Sequence, residues 1–166
     1  YHFMLDRLKG IYSDQGTAHD VFEAVAAVKP VSVADFEHRV KAVTDFRAMP
    51  QAEALAAANK RISNILRKND SPVPDTVDAA LFEDDAERAL AGQMQDIARQ
   101  IAPMQQSGDY TGMLKALSEL RDPVDRFFDD VMVMADNAEV RGNRLALLRS
   151  LANEFLKVAD VSTLQA

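Results

Sequence analysis

Residues 55–68 read Leu55-Ala56-Ala57-Ala58-Asn59-Lys60-Arg61-Ile62-Ser63-Asn64-Ile65-Leu66-Arg67-Lys68. At about 100° per residue, Leu55, Ala58, Ile62, Ile65 and Leu66 gather on one side. Lys60, Asn64 and Arg67 make a stripe opposite, with Arg61 and Lys68 on its flanks. No alternation of period two interrupts the run. The stretch therefore predicts a helix that buries its back and turns cations and amides to solvent. Pro50 suits its first turn, and Asn69-Asp70-Ser71-Pro72-Val73-Pro74-Asp75 breaks it with turn formers and two prolines.

The same reading extends in both directions. Upstream, a helix from about Phe3 to Ser13 ends at Gly16, and Thr17 with Asp20 reads as a cap for a second, reaching about Val28 before Pro30. Ser32 with Asp35 caps a third, Val33 to about Ala48, with Phe36, Val40, Val43 and Phe46 near one face. Downstream, an acidic helix is expected from about Glu83 to Ala102, stopped near Pro103. Ser107-Gly108-Asp109 makes a turn into a helix from Tyr110 to about Leu120. Asp122 with Pro123 restarts the chain as a helix burying Val124, Phe127, Phe128, Val131 and Met134. Asp136 with Glu139 caps a last helix to about Ala159.

The fold class is all-α: a helical bundle of about seven to eight helices with short loops and no internal repeat. We divide it into a helical extension over 1–48 and a bundle over 49–166. Hydrophobic residues make up 48% of the 166, enough for a real core. No apolar run approaches the ~18 residues that cross a membrane, and no signal-peptide pattern opens the chain. It opens on Tyr1-His2-Phe3-Met4-Leu5 without an initiating methionine, as if mid-helix, so it is expected to be a piece of something larger. The absence of cysteine removes disulfides, thiolate metal sites and cysteine nucleophiles, and fits a cytoplasmic location.

Catalytic chemistry has no foothold here. There is no Gly-rich phosphate loop and no GxGxxG. His2, His19 and His38 lack the spacing and the acidic partners of a metal site. His19-Asp20 reads as a capping feature, and the carboxylate pairs Asp84-Asp85 and Asp129-Asp130 as solvated helix faces.

Charge is more informative. The formal net charge of −7 argues against nucleic acid at first sight. Its distribution is uneven: residues 1–70 carry 10 Lys and Arg against 9 Asp and Glu, 71–140 carry 5 against 15, and 141–166 carry 4 against 2. Basic side chains cluster at 60–68 and 141–149. The first cluster has an ordinary explanation beside a functional one, since the helix macrodipole favours cations near a C-terminus by about 0.3–1 kcal/mol each. The second runs against that trend. Arg141 and Arg144 sit in the first turns of the last helix, inside its apolar stripe of Leu145, Leu148, Leu151, Ala152 and Phe155. Either they pair internally with Asp129, Asp130, Asp136 or Glu139, or that helix end projects and they reach phosphates or bases.

At this point the residues resemble a family. Ala56-Ala57-Ala58-Asn59-Lys60-Arg61-Ile62-Ser63-Asn64-Ile65-Leu66 is similar to a helix of bacterial glycyl-tRNA synthetase beta subunits. So are Leu120-Arg121-Asp122-Pro123-Val124-Asp125 and Phe127-Phe128-Asp129-Asp130-Val131-Met132-Val133-Met134. Arg141, Asn143-Arg144-Leu145 and Val158-Ala159-Asp160-Val161-Ser162 continue the likeness, and Met4-Leu5-Asp6-Arg7-Leu8 fits the stretch before it. The resemblance implies a C-terminal anticodon-binding domain of the DALR type. The four signature letters do not occur as written; Glu139-Val140-Arg141 comes nearest.

That resemblance further implies an alpha–beta assembly of alpha2beta2 type. In it the alpha subunit activates glycine with ATP and the beta subunit grips glycine tRNA, so this part needs no cofactor of its own and no membrane. Readers of an anticodon loop combine cations on phosphate with amides and arginines on base edges. Lys60, Arg67 and Lys68 are assigned mainly to phosphate. Arg61, Asn64, Arg141, Asn143 and Arg144 are assigned to bases or to organising the groups that read them, with Arg149 a weaker phosphate candidate. Phe127, Phe128 and Phe155 are expected in the core, and the acidic middle is expected to face away. The rival reading is a helical docking module for the alpha subunit. One basic groove joining 60–68 with 141–149 favours RNA; scattered charge with an exposed apolar patch favours docking.

Overall fold

The computed structural model describes residues 1–165. Eight α-helices follow one another: α1 (His2–Asp14), α2 (His19–Ala26), α3 (Val33–Arg47), α4 (Ala52–Lys68), α5 (Asp85–Ser107), α6 (Tyr110–Leu117), α7 (Arg121–Asp130) and α8 (Ala138–Leu156). Single 3₁₀ turns lie at Ala79–Leu81, Ser118–Leu120 and Val161–Thr163, and no strand occurs among the described residues.

Local chemistry accounts for most of these boundaries. Ser32 accepts a hydrogen bond from the Asp35 N–H and starts α3. That helix turns Phe36, Val40, Val43 and Phe46 inward as its spacing predicts. α5 opens on a reciprocal capping box in which Asp84 accepts from the backbone of the first turn while Glu87 reaches back. It closes at Gly108, whose φ of 73° lies in the left-handed region and lets Asp109 N–H return to the Met104 carbonyl.

Several boundaries differ from expectation. α2 starts after Ala18 with no side-chain cap, so Thr17 does not cap it. Asn137, not Asp136, caps α8, accepting from both Glu139 and Val140 N–H groups. α7 begins at Arg121 with no side-chain cap, placing Asp122 and Pro123 within its first turn. Pro103 lies inside α5 instead of ending it. The residue is exposed, so the carbonyl it leaves without an N–H partner can be hydrated, while Ile97 and Ile101 keep burying the opposite face. Met134 stays 49% exposed and does not join the core.

α8 is the central element. From Gly142 to Leu148 every residue is buried, so this helix is enclosed on all sides. α4, α5 and α6 pack against it. A buried Leu or Phe contributes about 1.5–3 kcal/mol relative to exposure. Leu145, Leu148, Leu151 and Phe155, all at or below 1% exposure, therefore anchor the bundle.

The first 48 residues share this core. α3 lies along α6, and Phe46 meets Phe155 with ring centroids 6.4 Å apart. Arg39 donates to the carbonyls of Lys157 and Val158 at 2.9 and 2.8 Å, covering acceptors left open at the end of α8. Asp160 N–H donates to Ala24 O at 2.9 Å. One hydrophobic cluster runs from Leu8 to Val161 across the division expected at 48/49.

Candidate functional site

The cation stripe of α4 is built by packing on its other side. Leu55, Ala58 and Ile62 are buried, and this leaves Lys60, Arg61, Arg67 and Lys68 exposed. Lys60 and Lys68 have no ionic partner among the described residues. Arg67 donates to Asn64 Oδ1 at 2.8 Å, one turn away, which fixes both head groups on the stripe. Arg61 lies over the Phe128 ring at 4.3 Å, a cation–π contact that couples α4 to α7. Phe127 and Phe155 are core residues as expected, whereas Phe128 is half-buried beneath that guanidinium.

α8 packs alongside α4 and carries Arg149 toward it. With Asn153, Arg149 borders a groove whose other wall is Asn59, Ser63 and Leu66 of α4. Arg149 also donates to Pro74 O at 2.5 Å, holding the segment after α4 across α8. The structure thus sets Arg149 across a groove from Asn59, Ser63 and Leu66, one helical line away from Lys60 and Arg67, while Arg61 turns to Phe128 of α7.

Asn143, Arg144 and Arg141 are placed differently. Asn143 is 1% exposed; its Oδ1 accepts from Asp78 N–H at 2.7 Å and its Nδ2 donates to Asp78 O at 2.9 Å. Both halves of the amide are consumed by one backbone residue, so Asn143 pins the 69–78 segment and does not read a base. Arg144 is 7% exposed. It donates to Met132 O at 2.7 Å and pairs with Glu87 at 3.0 Å, with Glu83 at 3.5 Å. Its acidic partners are Glu87 in the first turn of α5 and Glu83 just before that helix, not Asp129, Asp130, Asp136 or Glu139. Arg141 is half-buried and donates to Ala135 O at 2.9 Å, closing the turn before α8. The projecting-end alternative for these arginines gives way to an internal one: an α8 enclosed over its first turns presents neither Asn143 nor Arg144 to a ligand. Neutral carbonyls and a carboxylate also answer the macrodipole objection, since they surround the guanidiniums just where the helix end disfavours them.

Sequence reasoning missed three things here. The first is Glu87, which the pattern Asp84-x-x-Glu87 marks as the far end of a capping box. The second is Asn59, an amide on the buried side of α4 that sits at the groove and is 5% exposed. The third is Asn153, four residues beyond Arg149 and so on the same face of α8. Among the described residues no group of three or more His, Cys, Asp or Glu could hold a metal ion, and no helix is long and apolar enough to cross a membrane. His19 lies 3.7 Å from Glu23 on an exposed surface.

The chain is similar to known proteins over nearly its whole length. The glycine–tRNA ligase beta subunit of Marinobacter nauticus is 52% identical over 163 residues, covering 98% of this chain and 24% of the relative. That of Pseudoalteromonas translucida is 51% identical over 165 residues, 99% of this chain and 24% of the relative. That of Photobacterium profundum is 50% identical over 163 residues, with 98% and 24% covered. The chain therefore spans about a quarter of the length of these relatives. The family model described as the DALR anticodon binding domain matches residues 55–165, which takes in α4 from Leu55, all of α5 to α8, and both walls of the groove. With two thirds of its length in that match, the chain belongs to the DALR anticodon-binding domain family.

Proposed function

We propose that this chain grips the anticodon region of glycine tRNA and supplies that grip to glycyl-tRNA synthesis by a longer beta subunit. The observation that carries the reading is the exposed stripe Lys60, Arg61, Arg67 and Lys68 on α4, inside the segment matched by the anticodon-binding family. On a chain of net charge −7 this face gathers cations without ionic partners, which suits an RNA backbone. Aminoacylation belongs to the whole ligase. Glycine activation with ATP is assigned to an alpha subunit, in an alpha2beta2 assembly in the cytoplasm.

Titrating labelled glycine tRNA with this chain at several salt concentrations tests the reading. Affinity should fall steeply as salt rises, with log K linear in log salt, because cations on phosphate release counterions. A flat salt response, or no binding at about 50 mM salt, would remove the tRNA grip.

A second reading, docking of the alpha subunit, has one observation in its favour. Phe3 (78% exposed), Ile11 (51%), Val31 (93%) and Val33 (50%) leave apolar surface open around α1 and the start of α3. These residues lie outside the family match, so docking there and RNA binding on α4 are compatible. Co-purification of the alpha subunit with Phe3→Asp and Val31→Asp variants separates the two roles.

A further inference from the structure

We infer that the open face of α1 is a docking seam for a helix from the remaining part of the longer beta subunit. The inference rests on the longer-subunit part of the reading above and is independent of the tRNA grip.

α1 packs inward on one side only. Leu8 and Tyr12 are buried, Met4 and Leu5 are partly buried beside them, and the helix lies on α2. Tyr12 also stacks on Phe36 of α3, with ring centroids 5.6 Å apart. At about 100° per residue, Phe3, Arg7, Gly10 and Ile11 fall on the outer side, on successive turns. All are exposed. Spacing of three and four residues is how a helix meets a partner, so α1 carries a second packing face.

Gly10 distinguishes that face from scattered surface apolar groups. Inside a helix glycine is less stable than alanine or leucine, because it gives up more backbone freedom on folding. Nothing in this chain uses the space it leaves: a Cβ built on Gly10 meets no atom within 4 Å. Packed helices lie about 8–10 Å apart according to the side chains at their crossing, and a glycine there permits the close end of that range. Gly92 of α5 is equally open, but Arg88, Gln95, Asp96 and Arg99 around it are exposed and polar, a solvated face. At Gly10 the open space coincides with exposed large apolar side chains. Arg7 lies between Phe3 and Ile11, so the occupant meets its charge with a carboxylate or a carbonyl at the rim.

Size selects the occupant. An interface between separate chains buries about 800 Å² on each partner, with about 20–30 residues a side. α1 is 13 residues long, and its large open apolar groups are Tyr1, beside its first turn, Phe3 and Ile11, too little for that. A segment joined to α1 by the same chain docks at an effective concentration of up to about 1 mM and needs far less surface. This chain covers 24% of each of the three relatives, so most of a subunit of that kind lies outside it. The alpha subunit, a separate chain, fits α1 less well.

The test is hydrogen–deuterium exchange over residues 2–14 in this chain and in the whole beta subunit, both without alpha subunit. The α1 amides should exchange about ten-fold more slowly in the whole subunit. Gly10→Leu should not lower the melting temperature of this chain, since its side chain enters open space and leucine is the better helix former. In the whole subunit the same variant should abolish the added protection, and Phe3→Asp should do likewise. Equal exchange in the two proteins would leave the face without an occupant. Slowing that appears only on adding alpha subunit would give the face to that subunit, and slowing in this chain alone as its concentration rises would give it to a second copy. Protection that survives Gly10→Leu, or a lower melting temperature for that variant in this chain, would also overturn the seam. None of these results bears on the tRNA grip, which the salt titration decides.

Discussion

Arg144 of α8 and Glu87 of α5 form an ion pair at 3.0 Å, with side chains 8% and 0% exposed. Glu87 Oε1 also accepts from the N–H groups of Glu83 and Asp84 at 3.1 Å each, so one carboxylate oxygen caps α5 and neutralises α8 together. Two helices that meet here are thus registered by charge as well as by apolar packing.

Arg144→Ala should destabilise the chain by about 3–5 kcal/mol, because it strands a buried carboxylate. Glu87→Gln should cost less, since an amide oxygen still accepts from Glu83 and Asp84. Urea unfolding checks both. A stability for Arg144→Ala within ~1 kcal/mol of the parent would return this arginine to the surface and to the RNA.

Asn143→Ala should release the 69–78 segment from α8 at a cost of about 1–3 kcal/mol, leaving both Asp78 backbone groups unmatched. The Asp78 amide should then exchange with deuterium much faster than in the parent. Unchanged protection there would mean that Arg149 and the prolines hold the segment without it.

Asp20 gives the fold a pH dependence. Burial pushes its carboxyl up, but the N–H groups of Gln165 and Val21 and the Arg47 guanidinium outweigh burial and hold it below the ordinary carboxylate value. A carboxyl depressed in the folded state stabilises fully above its unfolded value, about 3.9, and loses that contribution as pH falls through the folded one. The stability gap between the parent and Asp20→Asn should therefore be constant from about pH 7 to about pH 5 and close below about pH 4. A gap that does not shrink as the pH falls further below about 4 would place the effect in packing, not in charge.

Lys60→Ala and Lys68→Ala should each change stability by less than ~0.5 kcal/mol, as exposed side chains without ionic partners do. Each should lower tRNA affinity and flatten the log–log salt slope by about 0.7 if the lysine neutralises one single-stranded phosphate. Weaker binding with an unchanged slope would show that the lysine does not meet phosphate.

Much of the architecture was legible because its causes are local. The Ser32 cap, the inward spacing of Phe36, Val40, Val43 and Phe46, the end of α4 at Lys68 and the Gly108 turn all depend on residues within one or two turns. Pro103 shows where that logic stops. Removing one helical hydrogen bond matters less than keeping Ile97 and Ile101 buried, and only the packed bundle sets that balance. The cap at Asp136 failed for a related reason: its neighbour Asn137 competes for the role and the path of the incoming chain selects it, whereas Asp122 caps nothing because the 3₁₀ turn at Ser118–Leu120 runs straight into α7. For Asn137 that path delivers two N–H groups.

The candidate site divides in the same way. The α4 stripe is a property of sequence alone, because a period of about 3.6 residues fixes which side chains oppose Leu55, Ala58 and Ile62. The fate of Asn143 and Arg144 is not. Their partners lie 65 and 57 residues upstream, and nothing within α8 distinguishes an arginine that will meet Glu87 from one that will meet solvent. Sequence by itself therefore determined an all-helical chain with an exposed cationic helix face. Tertiary structure alone decided which arginines are withdrawn from solvent, because enclosing α8 made charge burial conditional on a carboxylate brought in from a distant helix.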